Sequence, residues 1–367
     1  YVIWKHPRLE GSGKSPISLS HVADYEHQEE ALRRETLGKT ASYLAAVTES
    51  EETPDLAALA EKHGVDTSVL SRWLLYLAMG PRKPVEVVGR FETKILKAVN
   101  YPFLNGWGAT SNPQITANSS DQTVSVPGTF KGHSLIAHPS PSHFAAVGWQ
   151  SSVDGIVTVD ALVQDAHRGG NGVEWFLQHK TVHATRTLAA GVIDAGGRRE
   201  VSALSAGVRK GELVSLIIGA RDNHHVCDLT EIQLVIKEGG SEGRVWDLTR
   251  EVSDDILAGN PHADSHGNTE VWHFYSGETS KVSGGVDRRL YQVPPDSLLD
   301  QWREATDPAE KSRLALAVES LALGERPAAD GSPDAVLRDA LRLFATDPAR
   351  ALEGRAWTCL LYTSPSP

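Results

Sequence analysis

From Gly155 to Glu238 the chain alternates apolar and polar residues with a period of two, first through Ile156, Thr158, Val159 and Leu162, then through Leu213, Ser215, Leu216 and Ile218. Such runs, broken by clusters of Gly, Asp and Asn, predict half-buried antiparallel strands. The run Gly169–Gly172 (GGNG) lies between two of them and predicts a tight hairpin turn. Shorter β-rich stretches at Thr123–Pro127, Ser134–His138, Phe144–Trp149, Gly172–Lys180 and Leu229–Lys237 bring the strands to seven, enough for a sandwich.

On either side the period changes. Leu37, Ala41, Leu44 and Val47 follow helical spacing within Asp24–Val47. Thr53-Pro54-Asp55 opens a second helix that ends near Gly64, and Asp66 caps a third whose apolar face is Val69, Leu70, Trp73, Leu74 and Leu77. Gly80-Pro81 stops it. After the strands, the Asn- and Gly-rich block Trp246–Gly277 is expected to close against the sandwich. Helices return over Asp296–Leu352, with Leu298, Leu299, Trp302, Leu314, Ala317 and Leu321 on the inner face, and the turn at 331–333 sets off a last helix at Ala335–Phe344. The expected architecture is α+β and multidomain. It has a helical unit at 1–87, an antiparallel β-sandwich with its extension at 88–290, and a helical unit at 291–357 that begins a further domain.

The chain has 367 residues, 40% of them hydrophobic, which is enough for a sizeable core. A net charge of −11 opposes a phosphate backbone, so nucleic acid is not an expected partner. No apolar run reaches the ~18 residues of a membrane span. The opening YVIWKHPRLE reads as a fragment of a longer protein. The closing WTCLLYTSPSP has the wording of translated sequencing adapter, as metagenomic assemblies carry it, and residues 358–367 are set aside as an artefact tail expected to add nothing to the core. Cys227 is then the single cysteine, which makes neither an intramolecular disulfide nor a CxxCH haem site.

Candidate chemistry lies in four places. Leu56–Leu74 (LAALAEKHGVDTSVLSRWL) has the spacing of a helix-turn-helix, with Ser68, Ser71 and Arg72 on its second helix. Asp55, Glu61 and Asp66 leave it net negative, so an αα-hairpin burying Trp73 is the favoured reading and a DNA-binding regulator the alternative. In Asn260–Asn268 (NPHADSHGN), His262, Asp264 and His266 alternate. An extended segment would turn them to one face as ligands for Zn²⁺, while a loop would spend them on its own backbone, which is the favoured reading. Asp165, Asp222 and Asp228 flank strand ends, as carboxylate ligands of a structural Ca²⁺ do and as turn-capping aspartates do. Trp107, Trp149, Trp175, Trp246 and Trp272 fall in or beside the sandwich, where an aromatic ring can stack on a sugar. In Val173–Phe176 alternation sets Trp175 with Val173 on one face and Glu174 with Phe176 on the other. At one rim, the loops Ala166–Asn171 and Arg221–His225 offer Arg168, Asn171, Asp222 and Asn223 as donors and acceptors for a glycan in a shallow polar cleft. GSGKS (Gly11–Ser15) lacks the upstream glycine and the strand of a phosphate loop.

The strand pattern resembles jelly-roll, galactose-binding-like sandwich modules, which bind far more often than they catalyse. The phrases WQSSVDGIVTVDALVQDAHRGGNGVEWFL, NHHVCDLTEIQLVI, WDLTREVSDDILAGNPHADSHGN and VWHFYSG resemble the connecting region of multidomain exported proteins associated with the planctomycete-type cytochrome c. LAALAEKHGVDTSVLSRWLLYL is similar to the hairpin that precedes their sandwich. The resemblance spans most of residues 20–320 and implies an extracytoplasmic location, haem only in domains outside this chain, and those other domains as partners. The resulting expectation is a non-catalytic module that recognises polysaccharide, with part of a metal-dependent glycan hydrolase as its alternative.

Overall fold

The computed structural model describes residues 8–10, 17–18, 22–51, 55–77, 79–80, 83–109, 111–182, 185–240, 243–282, 293–345 and 358–360. They form two compact units. One takes in α1 (Val22–Leu37), α2 (Thr40–Glu49), most of α3 (Leu56–His63) and of α4 (Thr67–Leu77), α6 (Leu298–Glu304), α7 (Pro308–Ala322) and α8 (Pro333–Ala345). The other holds the strands of the sandwich and the short helix α5 (Leu248–Val252).

The helical unit follows its punctuation. The helix expected over Asp24–Val47 is broken at Gly38-Lys39, where the Thr40 hydroxyl donates to the Leu37 carbonyl at 2.7 Å and opens α2. Asp66 caps α4 as its sequence predicts, accepting from Ser68 N at 2.9 Å and Val69 N at 3.1 Å. Gly64, at φ +62, ends α3. Thr53, Pro54 and Pro81, read as helix signals, and GSGKS lie outside the described residues. Trp73 is buried, as expected, and its ring packs on Phe344 of α8 with centroids 4.6 Å apart. Ala41 N of α2 donates to Glu319 of α7 at 2.9 Å, so helices far apart in sequence share one core. Of the suspected tail, Thr358–Leu360 pairs antiparallel with Arg8–Glu10.

The sandwich has twelve strands of note. They are β1 (Leu104–Gly108), β2 (Gln114–Asn118), β3 (Ser134–His138), β4 (His143–Gln150), β5 (Gly155–Asp165), β6 (Val173–Lys180), β7 (Thr185–Ile193), β8 (Arg198–Val208), β9 (Leu213–Ala220), β10 (Thr230–Glu238), β11 (Val245–Asp247) and β12 (Trp272–Glu278). One sheet runs β8-β5-β10-β3-β2-β1, with β11 beside β10, and the other runs β7-β6-β9-β4-β12. All of these pairs are antiparallel. Taking β3 to β10 alone, the orders 3-10-5-8 and 4-9-6-7 are those of an eight-stranded jelly roll, in which the chain winds between two sheets. The fold class is therefore α+β with an antiparallel jelly-roll sandwich, as the alternation predicts. The GGNG stretch is corrected by this topology. It is not a hairpin turn, because β5 and β6 belong to opposite sheets and the 166–172 segment crosses between them at the rim.

The core follows from the pleat. Inward positions of β5 are Val157, Val159, Ala161 and Val163, and those of β10 are Ile232, Leu234 and Ile236, with Ile156 exposed. The facing sheet contributes Val147, Trp149, Trp175, Leu177, Leu216, Ile218, Trp272 and Phe274. The Asn- and Gly-rich block does more than close against the sandwich. It supplies Trp246 to the core and β12 to the second sheet's edge.

Candidate functional site

The second sheet buries both faces. Its inner side belongs to the main core, and its outer side carries a separate apolar cluster of Phe144, Ala146, Phe176, Leu213, Ile217 and Tyr275. Val85 and Val87 cover part of that cluster from a strap formed by residues 83–91. The strap is pinned by the main chain, with Val85 N donating to Gly211 O at 2.8 Å, Phe91 N to Phe274 O at 3.0 Å and Ser276 N to Gly89 O at 3.0 Å. Gly89 permits that approach. It sits at φ +79, and a Cβ there would fall 2.1 Å from the Ser276 carbonyl oxygen.

Between strap and sheet lies an open groove of about 660 Å³. Phe144 and Tyr275, edge to face at 5.8 Å, supply its aromatic wall, and Val88 stands 70% exposed on its lip. Gln178 and Lys180 of β6, His143 of β4 and Glu278 of β12 are its polar lining. Gln178 Nε2 donates to Thr187 Oγ1 at 3.1 Å, and Lys281 pairs with Glu278 at 2.9 Å. Burial pushes the Tyr275 hydroxyl up to about 12, opposed by its hydrogen bond with Ser215, so it stays a neutral phenol. The arrangement offers an apolar wall, an amide, a cation and a carboxylate along one face.

The rim residues behave differently. Asn171 donates to Arg221 O at 2.9 Å, and the Arg221 guanidinium donates to Asn171 O at 3.1 Å and to Asp194 at 2.8 Å. The two rim loops therefore do meet, but Asn171 is used to tie them together. Arg168, Asp222 and Asn223 are exposed, the last two at φ +53 and +58 in the turn 221–223. Trp175, proposed from the sequence as a ligand contact, is 2% exposed within the core, because alternation sends it inward with Val173. Asp165 and Asp228, at the ends of β5 and β10, are 2% and 0% exposed, whereas Asp222 is exposed and apart from them. Burial, and then the charge of Asp165, lift the Asp228 carboxyl to about 7.

His262, Asp264 and His266 do not converge. His262 Nε2 faces Asp255 at 3.1 Å and its Nδ1 faces Ala263 O at 2.7 Å. Asp264 accepts from Trp246 Nε1 at 2.8 Å, from Asn268 Nδ2 at 2.7 Å and from the main-chain N–H groups of His266 and Asn268. Its burial is outweighed by these bonds, which hold the carboxyl below its usual range. His266 donates to Val245 O at 3.0 Å. The segment is a turn-rich loop, not an extended one, so alternate residues do not share a face. Asp264 serves the core instead through Trp246, just as Glu251 of α5 accepts from Trp272 Nε1 at 2.6 Å. Among the described residues no three His, Cys, Asp or Glu side chains gather as a metal cluster.

Sequence reasoning missed the groove. Its signal was present in the alternation that sets Glu174 and Phe176 opposite Trp175, and carrying that one pleat further adds Gln178 and Lys180 to the outer face. The strap that forms the other wall has no periodicity to announce it. Compared with known proteins, the chain matches no family model, no curated protein and no solved structure.

Proposed function

We propose that the jelly roll is a non-catalytic carbohydrate-binding module of a larger exported protein, and that the groove on the outer face of the second sheet receives the glycan. The observation that carries this reading is the combination, in one open groove of about 660 Å³, of the Phe144–Tyr275 wall with Gln178, Lys180, His143 and Glu278. Sugar rings present apolar C–H faces to aromatic rings and hydroxyls to amides and charged groups, and a groove open along its length admits a chain better than a single ring. Exposed Val88 adds apolar surface at the lip without a packing role of its own. The export and the larger protein rest on the family resemblance of the quoted phrases. The rim loops, tied together through Asn171 and Arg221, are not the proposed surface.

The test is a glycan array probed with the full chain, followed by calorimetric titration of any polysaccharide that scores. Lys180→Ala and Gln178→Ala are expected to weaken binding about tenfold or more each, equivalent to ~1.4 kcal/mol, with an unchanged melting temperature for Lys180→Ala and a lowered one for Gln178→Ala, which severs the buried bond to Thr187. Affinity for a neutral glycan should vary little with salt. An array without hits, or hits that both variants bind as the parent does, overturns the reading. Release of reducing ends from a bound polysaccharide overturns its non-catalytic part.

A further inference from the structure

The inward row of β5 runs Val157, Val159, Ala161 and Val163 and then ends on Asp165. The inward row of β10, followed backwards, runs Ile236, Leu234, Ile232 and Thr230, and buried Asp228 lies two residues before it in the turn that leads into the strand, where Leu229 N donates to Cys227 O at 2.8 Å. Asp165 pairs directly with Thr230 across the two strands. Two acids thus close two neighbouring apolar rows on the inner face at one end of the sandwich. The 166–172 loop folds over them. A Cβ on Gly170, at φ +86, would lie 2.6 Å from Val226 O and 3.7 Å from Asp228 Oδ1, so bare backbone packs on the carboxylate.

These acids are short of partners. The Asp165 carboxyl is bonded by main-chain groups of His167, at 2.9 Å to Oδ1, and of Gly196, but its Oδ2 and both oxygens of Asp228 are buried with no close hydrogen-bond partner among the described residues. Asn171 Oδ1, in the same loop, is also buried and unpartnered. The nearest titratable neighbour, His167, turns its Nδ1 to Gly169 N at 2.8 Å rather than to either acid. Two adjacent carboxylates at full burial are among the least favourable arrangements a core can hold, unless a positive charge joins them. With three free oxygens the pair is half of an oxygen cage.

We propose that Asp165 and Asp228 bind one divalent, oxygen-seeking cation of the Ca²⁺ class beneath the 166–172 loop, fastening β5, β10 and the loop that crosses between the sheets. Ca²⁺ takes about six to eight oxygens and accepts main-chain carbonyls and water beside carboxylates, so two acids suffice. Zn²⁺ in a structural site takes four protein ligands, mostly Cys and His, and although His167 and Cys227 lie in the same loops, no three His, Cys, Asp or Glu side chains gather here as a metal cluster among the described residues. Asp222 is exposed on the adjoining turn and takes no part. The cation's role is to hold the rim, and this inference does not depend on the groove's ligand.

The experiment uses the full chain, stripped with chelator and desalted, then titrated with CaCl₂, MgCl₂ and ZnCl₂ by calorimetry and thermal unfolding. One Ca²⁺ per chain is expected, with a rise in melting temperature of about 5–10 °C at a hundredfold excess over Kd. Asp228→Asn keeps the volume and removes the charge. It should abolish the Ca²⁺ response while its metal-free form melts no lower than the metal-free parent. Asp165→Asn is the second variant, should Asp228→Asn not fold, and is expected to lose the response at least tenfold. Absence of any Ca²⁺ response in the parent overturns the proposal and leaves the acids sharing a proton. An undiminished response in both variants places the cation elsewhere and overturns it equally, as does binding of Zn²⁺ alone.

Discussion

Trp175 separates two accounts of the sandwich, and its truncation discriminates between them. As a platform for sugar it would lose binding and little stability when cut to Ala. As found, it is 2% exposed among Val173, Leu177, Ile193 and Ile218. A buried indole removes ~150–250 Å² from water, about 4–6 kcal/mol at ~25 cal/mol per Å². The retained Cβ and partial collapse of the site lower this to roughly 3–5 kcal/mol. One feature lowers it further. Trp175 Nε1 has no hydrogen-bond partner, so truncation also deletes a buried orphan donor whose burial costs about 1 kcal/mol or more. The expected loss for Trp175→Ala is therefore near the lower limit, about 3 kcal/mol, or a fall of ~6–12 °C in melting temperature for a unit of this size. Trp175→Phe, which keeps an aromatic ring and drops the orphan N–H, should cost about 1 kcal/mol or less. Gly191 supplies an internal check. A Cβ there would meet Trp175 Nε1 at 3.1 Å and Cε2 at 3.3 Å. Gly191→Ala should cost ~1–3 kcal/mol in the parent and almost nothing when position 175 is Ala, a coupling of about 1 kcal/mol or more. Differential scanning calorimetry with urea titration measures all five proteins, the parent, the three single variants and the double variant. A loss under about 1 kcal/mol for Trp175→Ala, or additivity with Gly191→Ala, refutes the packing described for this residue.

Other expectations follow from the same packing. Trp73→Ala in the helical unit should cost about 3–5 kcal/mol in denaturant unfolding, since its ring is 1% exposed and packs at a tilt against Phe344; tight, salt-dependent binding of duplex DNA by the full chain would contradict this structural role for the hairpin. Gly89→Ala should destabilise the sandwich by ~2 kcal/mol or more, because it meets both a left-handed φ and the Ser276 carbonyl; an unchanged urea midpoint would mean that the strap is not pinned there. His273, 3% exposed on β12, is held down to about 4 by burial and by the charge of Arg90, below the ~6.5 of an unfolded histidine. The unfolded chain then binds the extra proton first, so the neutral ring's contribution is complete above pH ~6.5 and is lost as pH falls towards ~4. The stability advantage of the parent over His273→Asn should accordingly shrink across that window in unfolding titrations, and a constant difference would show that His273 does not titrate there.

Much of the fold was legible because the pleat leaves a period in the sequence. Ser134–His138 and Leu213–Ala220 are strands with the bounds their patterns predict. Leu104–Gly108, Thr185–Ile193 and Arg198–Val208 were not foreseen, for a physical reason. β8 is mostly solvated at the edge of its sheet, β7 is also an edge strand with Val192 exposed, and β1 carries two glycines that let neighbouring backbone come close. Edge strands bury too little on either face to impose alternation. Tertiary partners were less legible still. Nothing near Trp73 names Phe344, about 270 residues away in sequence, as its neighbour.

The candidate sites show where local reading stops. His262, Asp264 and His266 look alike as ligand types at alternate positions, and only an extended backbone would make the alternation matter. The loop instead curls around Asp264, so that its carboxylate accepts from Asn268, His266 and the Trp246 indole. The acids at 165 and 228 stand 63 positions apart with no shared motif. What joins them is the jelly-roll winding itself, which takes β5 and β10 to adjacent places in one sheet although four strands intervene between them along the chain. Once that order is known, the pleat decides the rest. Asp165 lies opposite Thr230 on the inner face, and Asp228 is buried two residues before Thr230, in the turn that leads into β10. The period-two pattern that announced the strands from sequence is therefore the same physical rule that, applied across the sheet, turns Asp165 into the interior, at the end of the sandwich where Asp228 is also buried. A cation bound there would fasten the crossing between the sheets, whereas a ligand in the groove would read the outer face of the second sheet, and the two can be tested without disturbing one another.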